Sequence, residues 1–125
     1  MKAISLLVFL VVLLTSCKKE QTPQFRYDNQ DTASVILAIG SSHPDNFYPV
    51  SSVNLTGKRI TSYADIEPGY YDIGYALKIK YGDHRDWEPC EFGYEIAKNR
   101  KYTICYRNPD GLQHTGVIWI LIEEE

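Results

Sequence analysis

The chain of 125 residues has room for one small domain, and 44% hydrophobic against 23% charged residues is ordinary globular usage, which excludes wholesale disorder. Thirteen Lys+Arg against sixteen Asp+Glu leave a net charge of -3, which lacks the basic footprint of a nucleic-acid-binding domain. Ten tyrosines tilt the composition toward strands.

Residues 1–16 have the layout of a secretory signal: Lys2 supplies a positive start, and Ala3 to Leu14 is almost unbroken apolar sequence. A membrane-spanning helix needs about 20 apolar residues, so this stretch is too short to be one. It ends in Leu14-Thr15-Ser16-Cys17, an aliphatic residue and two small residues before a cysteine, which resembles the lipobox of bacterial lipoproteins. The resemblance implies cleavage before Cys17, a diacylglycerol on its thiol and an acylated amino group. Several acyl chains on one residue give a stable anchor, each buried CH₂ contributing about 0.8 kcal/mol. Lys18 follows where, by analogy with the family, an Asp would favour retention in an inner membrane. The expected location is therefore the bacterial cell envelope, anchored to the outer membrane on its periplasmic or surface face. Lys18-Lys19-Glu20 also resembles charged export tags of surface-displayed lipoproteins.

Residues 17–32 read as the lipidated Cys17 and a polar tether with no apolar periodicity, although Phe25 and Tyr27 offer an alternative first strand. Residues 33–125 form the expected domain. Val35, Leu37 and Ile39 alternate before Gly40, and Val53 and Leu55 alternate before Thr56-Gly57-Lys58, which reads as a hairpin turn into Ile60. From Tyr70 to Tyr81 every odd position is large (Tyr71, Ile73, Tyr75, Leu77, Ile79, Tyr81). That period of 2 predicts a strand with one buried face and one wet face carrying Asp72, Gly74 and Ala76.

Phe92, Tyr94 and Ile96 share one parity, Lys98-Asn99-Arg100 turns the chain, and Tyr102, Ile104 and Tyr106 resume the alternation. A hairpin through that turn places Ile96 opposite Tyr102, Tyr94 opposite Ile104 and Phe92 opposite Tyr106, each apolar residue meeting another. In this register Cys90 and Cys105 fall out of step and on opposite faces, so no disulfide is expected between them. Asn108-Pro109-Asp110-Gly111 is a turn, and Val117 to Ile122 is apolar throughout, as in a strand buried on both sides and kept soluble by the acidic end. The expected fold is all-β, an antiparallel sandwich or small barrel of about seven strands. The Pro68-Gly69-Tyr70-Tyr71 strand entry, with the charged turn and Tyr-rich strand Lys98 to Tyr106, resembles small envelope β-sandwiches of the PEGA and prealbumin-like kind. That resemblance implies the fold and leaves the activity open.

His43, His84 and His114 lie far apart in expected loops, and none has the close spacing of a local metal site, so no metal or cofactor is expected. There is no Gly-rich phosphate loop and no G-x-S-x-G elbow. Asn54-Leu55-Thr56 matches a glycosylation sequon, an accidental match in a bacterial lipoprotein. The tyrosines read first as core residues with hydroxyls at the rim, and alternatively as an aromatic face for a sugar or a protein. Trp87 interrupts a polar loop, and with His84 and Arg85 it has the composition of an interaction hot spot. The favoured function is a non-enzymatic, lipid-anchored binding or scaffold module for an envelope protein or glycan. The alternative is a small hydrolase or glycan-processing enzyme using Asp83, His84 and Asp86.

Overall fold

The computed structural model describes residues 20–42, 47–77, 87–112 and 114–124. These form eight strands: β1 (Gln24–Asn29), β2 (Val35–Ser42), β3 (Phe47–Leu55), β4 (Ala64–Asp65), β5 (Gly69–Ala76), β6 (Glu88–Ile96), β7 (Arg100–Arg107) and β8 (Val117–Glu124). Two four-stranded sheets, ordered β4-β1-β7-β8 and β3-β2-β5-β6, pack face to face as a β-sandwich. No helix occurs among the described residues. Cys17, His43 and the segment holding Asp83, His84, Arg85 and Asp86 lie outside them, as does the far end of the strand expected to reach Tyr81.

The core is built by alternation. Phe25 and Tyr27 of β1 join Tyr102, Ile104 and Tyr106 of β7 from one sheet, and Val35, Leu37, Ile39, Ile73 and Tyr75 from the other. The core reading of Tyr71, Tyr75, Tyr94, Tyr102 and Tyr106 therefore holds, with Tyr71 and Tyr94 half-buried at its margin. Tyr75 and Tyr106 meet at 5.0 Å between ring centroids, and the Tyr75 hydroxyl accepts a hydrogen bond from the Gly116 backbone at 2.9 Å. Each ring thus buries its body and pairs its polar tip.

Several features differ from the pattern of the sequence. The stretch read as tether runs into the sandwich: β1 pairs in parallel with β7 over Gln24↔Lys101 to Asn29↔Tyr106, so the sheets are not wholly antiparallel. Polar residues on the solvent side of β1 (Gln24, Arg26, Asp28) mask its two core aromatics. Thr56-Gly57-Lys58 is a turn, with Lys58 at φ 59°, but it is not a hairpin. The chain crosses to the other sheet, where Ile60 bridges Asp28. Lys98-Asn99-Arg100 is likewise a corner between sheets, Asn99 at φ 65°, so β6 and β7 do not pair. The expected pairing of Phe92 with Tyr106 is absent, and Phe92 is exposed. Cys90 and Cys105 are free thiols on different sheets, so the expected register was the wrong reason for keeping them apart. Last, β8 is an edge strand rather than a doubly buried one, with Val117, Leu121 and Ile122 exposed.

Candidate functional site

The outer face of the β3-β2-β5-β6 sheet is where the sequence departs furthest from simple alternation. Ile36 and Ala38 on β2, and Gly74 and Ala76 on β5, have the parity opposite to the core, pair across the strands as Ile36↔Ala76 and Ala38↔Gly74, and are nevertheless buried. The wet face expected for β5 is thus covered at Gly74 and Ala76. The flanking strands press close at two glycines of this central pair. A Cβ on Gly40 would collide with the Tyr48 carbonyl oxygen and lie 2.7 Å from the Pro49 Cα. A Cβ on Gly74 would lie 2.6 Å from the Glu88 carbonyl oxygen and 3.0 Å from the Pro89 Cα. At both positions the paired edge strand therefore runs so close that only glycine fits. Register shifts supply the bend: one extra residue in β3 near Val50, and two irregularities in β6 opposite Tyr71 to Gly74.

The beginnings of β3 and β6 meet at Phe47 and Trp87, whose rings are 5.3 Å apart and tilted by 55°. Trp87 is half-buried by this contact, at the entrance to β6 and at the end of the segment that holds His84 and Arg85. Phe47 is the residue that sequence reasoning missed; its signal would have been an aromatic directly after the polar loop that follows β2.

Asp72 ties the central strand β2 to the edge strand β6. Its carboxylate accepts hydrogen bonds from the Ser42 backbone N–H at 3.1 Å and the Gly93 backbone N–H at 2.8 Å, joining the end of β2 to the bulge of β6, where Gly93 stands at φ 59°. Burial works to raise the Asp72 pKa, but the bonds from Gly93 and Ser42 outweigh it and hold the carboxyl below its usual range. Around this carboxylate stand exposed aromatics. Tyr70, two residues earlier on the same face of β5, is 72% exposed, and Phe92, beside Gly93, is 68% exposed. Ser42 pairs with half-buried Phe47, while exposed Tyr48, next along β3, pairs with Ser41 and has the opposite parity. An exposed ring of this size is common singly; two beside one fixed carboxylate make a candidate contact surface.

Other arrangements have less chemistry to offer. Exposed His114 places Nδ1 2.5 Å from Glu88 Oε1, and the half-buried Cys90 thiol donates to the Glu88 carbonyl at 3.6 Å. Burial, then Glu88 and Glu91, push the Cys90 thiol up to about 11, so it stays protonated at neutral pH and is no nucleophile. A shallow groove of about 230 Å³ between β1 and β3 is lined by Phe25, Tyr27, Ser51 and Thr61 among others. Its polar atoms serve each other: the Tyr27 hydroxyl donates to the Ser51 carbonyl at 3.2 Å, and the Tyr27 N–H to Thr61 Oγ1 at 2.9 Å. On the outer face of the other sheet, Arg26 and Lys101 stack on the Tyr63 ring at 4.5 and 5.2 Å. No group of three or more His, Cys, Asp or Glu poised to hold a metal occurs among the described residues. The chain matches no family model, and no curated protein matches it significantly.

Proposed function

We propose that the protein is a lipid-anchored, non-enzymatic binding module of a bacterial cell envelope, held by acylated Cys17 and probing an envelope protein or glycan with the aromatic face around Asp72. The observation that carries this reading is the pair of exposed rings, Tyr70 and Phe92, beside a carboxylate that joins β2 to β6, with the half-buried Phe47–Trp87 pair where β3 and β6 begin. Aromatic rings offer large contact area at low entropic cost, and their faces suit sugar rings and apolar protein anchors alike. The lipobox-like Leu14-Thr15-Ser16-Cys17 and the apolar stretch before it support the anchor. His84 and Arg85, next to Trp87 in the sequence, remain proposed contact residues and lie outside the described residues.

The test has two arms. Mass spectrometry of the native amino terminus should find acyl mass on Cys17, and Cys17→Ser should release the protein from membranes or block its processing. Capture from its own envelope by the parent chain should be lost in the Tyr70→Ser/Phe92→Ser double variant. An unmodified amino terminus at another residue overturns the anchor, and undiminished capture by the double variant overturns the face.

A further inference from the structure

We propose that two copies of the chain associate through β8, antiparallel about a two-fold axis at Ile120, so that two four-stranded sheets become one of eight strands. This rests on the edges of the sandwich and is independent of the aromatic face. Natural sheets defend their edges, and three of the four here are defended. β4 has only two residues, β3 carries Pro49 and a register shift, and β6 carries Pro89 and two shifts. β8 has none of these devices. Its eight residues hold an unbroken register on β7 from Arg107↔Val117 to Arg100↔Glu124, with no Pro, Gly or Lys among them. Val117 and Leu121 are 55% and 54% exposed, and Ile122 is exposed as well.

The occupant that fits is a second β8. With Ile120 opposite Ile120 of the other copy, Trp119 meets Leu121 and Ile118 meets Ile122 on each side of the axis, so every exposed apolar residue but Val117 gains an apolar partner. Charge selects the direction. Glu123 and Glu124 end the strand, while exposed Arg107 flanks Val117 at its start. Antiparallel pairing sets Glu123 of one copy across Val117 of the other, about 10 Å from the Arg107 backbone at ~4.8 Å per strand, within reach of two long side chains. Parallel pairing would stack the acidic ends on each other.

The mass of the full chain in detergent tests this. The parent should be a dimer, and Val117→Lys/Leu121→Lys a monomer with an unchanged far-UV circular dichroism spectrum. Two residues paired at the axis have Cα atoms about 4.5–5.5 Å apart, within disulfide reach, whereas two copies of residue 124 stand about 27 Å apart in this register. Ile120→Cys should therefore cross-link on oxidation and Glu124→Cys should not; if the lysine pair fails to fold, this comparison decides alone. A monomeric parent at millimolar concentration, a dimer that survives the folded lysine pair, or cross-linking at 124 in preference to 120 overturns the proposal.

Discussion

Asn29 is buried at the end of β1, where its side-chain amide donates to three carbonyls, Ala33 at 2.9 Å, Leu55 at 3.1 Å and Thr56 at 3.2 Å, while its Oδ1 accepts from the Asp31 N–H at 3.0 Å. One side chain thus ties the first strand to the ends of two strands of the other sheet. Asn29→Asp would turn the donor into a charge facing carbonyl oxygens, and should cost about 3 kcal/mol or more, against about 2 for Asn29→Ala, in urea unfolding. Asp72 makes a pH-dependent contribution. Its folded pKa lies below the unfolded value, so the stability it adds is fully present above the unfolded pKa and fades as pH falls through the folded one. Asp72→Asn should therefore cost about 1 kcal/mol at neutral pH, and the gap to the parent should close in acid unfolding curves. The thiols give a chemical check on burial. Burial first, then Asp28, pushes Cys105 up to about 11, matching Cys90, so both should alkylate slowly in the native protein at neutral pH. Two free thiols should appear on denaturation without reductant; none would mean that the strands carrying them are wrongly placed.

At the scale of elements, the close approach of the edge strands to the central pair depends on Gly40 and Gly74. Alanine at either position meets backbone rather than a movable side chain, so each should cost about 1–3 kcal/mol and loosen the contact of Phe47 with Trp87. Trp87 emission, read in a Trp119→Phe background, should shift to the red and become more accessible to a soluble quencher. Unchanged stability and emission would mean that the edge strands do not run as close to Gly40 and Gly74 as described. The alternation of β2, β5 and β7 was legible in the sequence because Val, Ile, Leu and Tyr repeat there without interruption. Trp87 was legible as an aromatic out of place in a polar loop. The register of β6 was not, because its bulges shift parity and turn Phe92 to solvent. The corner at Asn99 was read as a hairpin because a tight turn with positive φ has the same residues whether it joins neighbours or crosses between sheets. The solvent side of β1 hid its two core aromatics among Gln, Arg and Asp. An all-apolar strand such as β8 reads the same when buried on both sides and when it waits at an edge.

The whole molecule carries two unlike surfaces: aromatic rings about Asp72 on one sheet, and the apolar edge β8 on the other. They make separable demands on solution behaviour, since substitution on one leaves the other intact. Anchoring through Cys17 would confine both to a membrane plane, where two-fold association at β8 would double the aromatic surface offered to one ligand and raise its avidity. The central claim is that the Asp72 face makes the contact. The most direct measurement is quantitative capture of an envelope component by three full-length chains, the parent, Tyr70→Ser/Phe92→Ser and Val117→Lys/Leu121→Lys, each checked for folding by circular dichroism. Capture should fall at least tenfold in the first variant, corresponding to about 1.4 kcal/mol of lost contact, and be retained, though weakened by lost avidity, in the second. Equal capture by the parent and the Tyr70→Ser/Phe92→Ser chain would contradict the account.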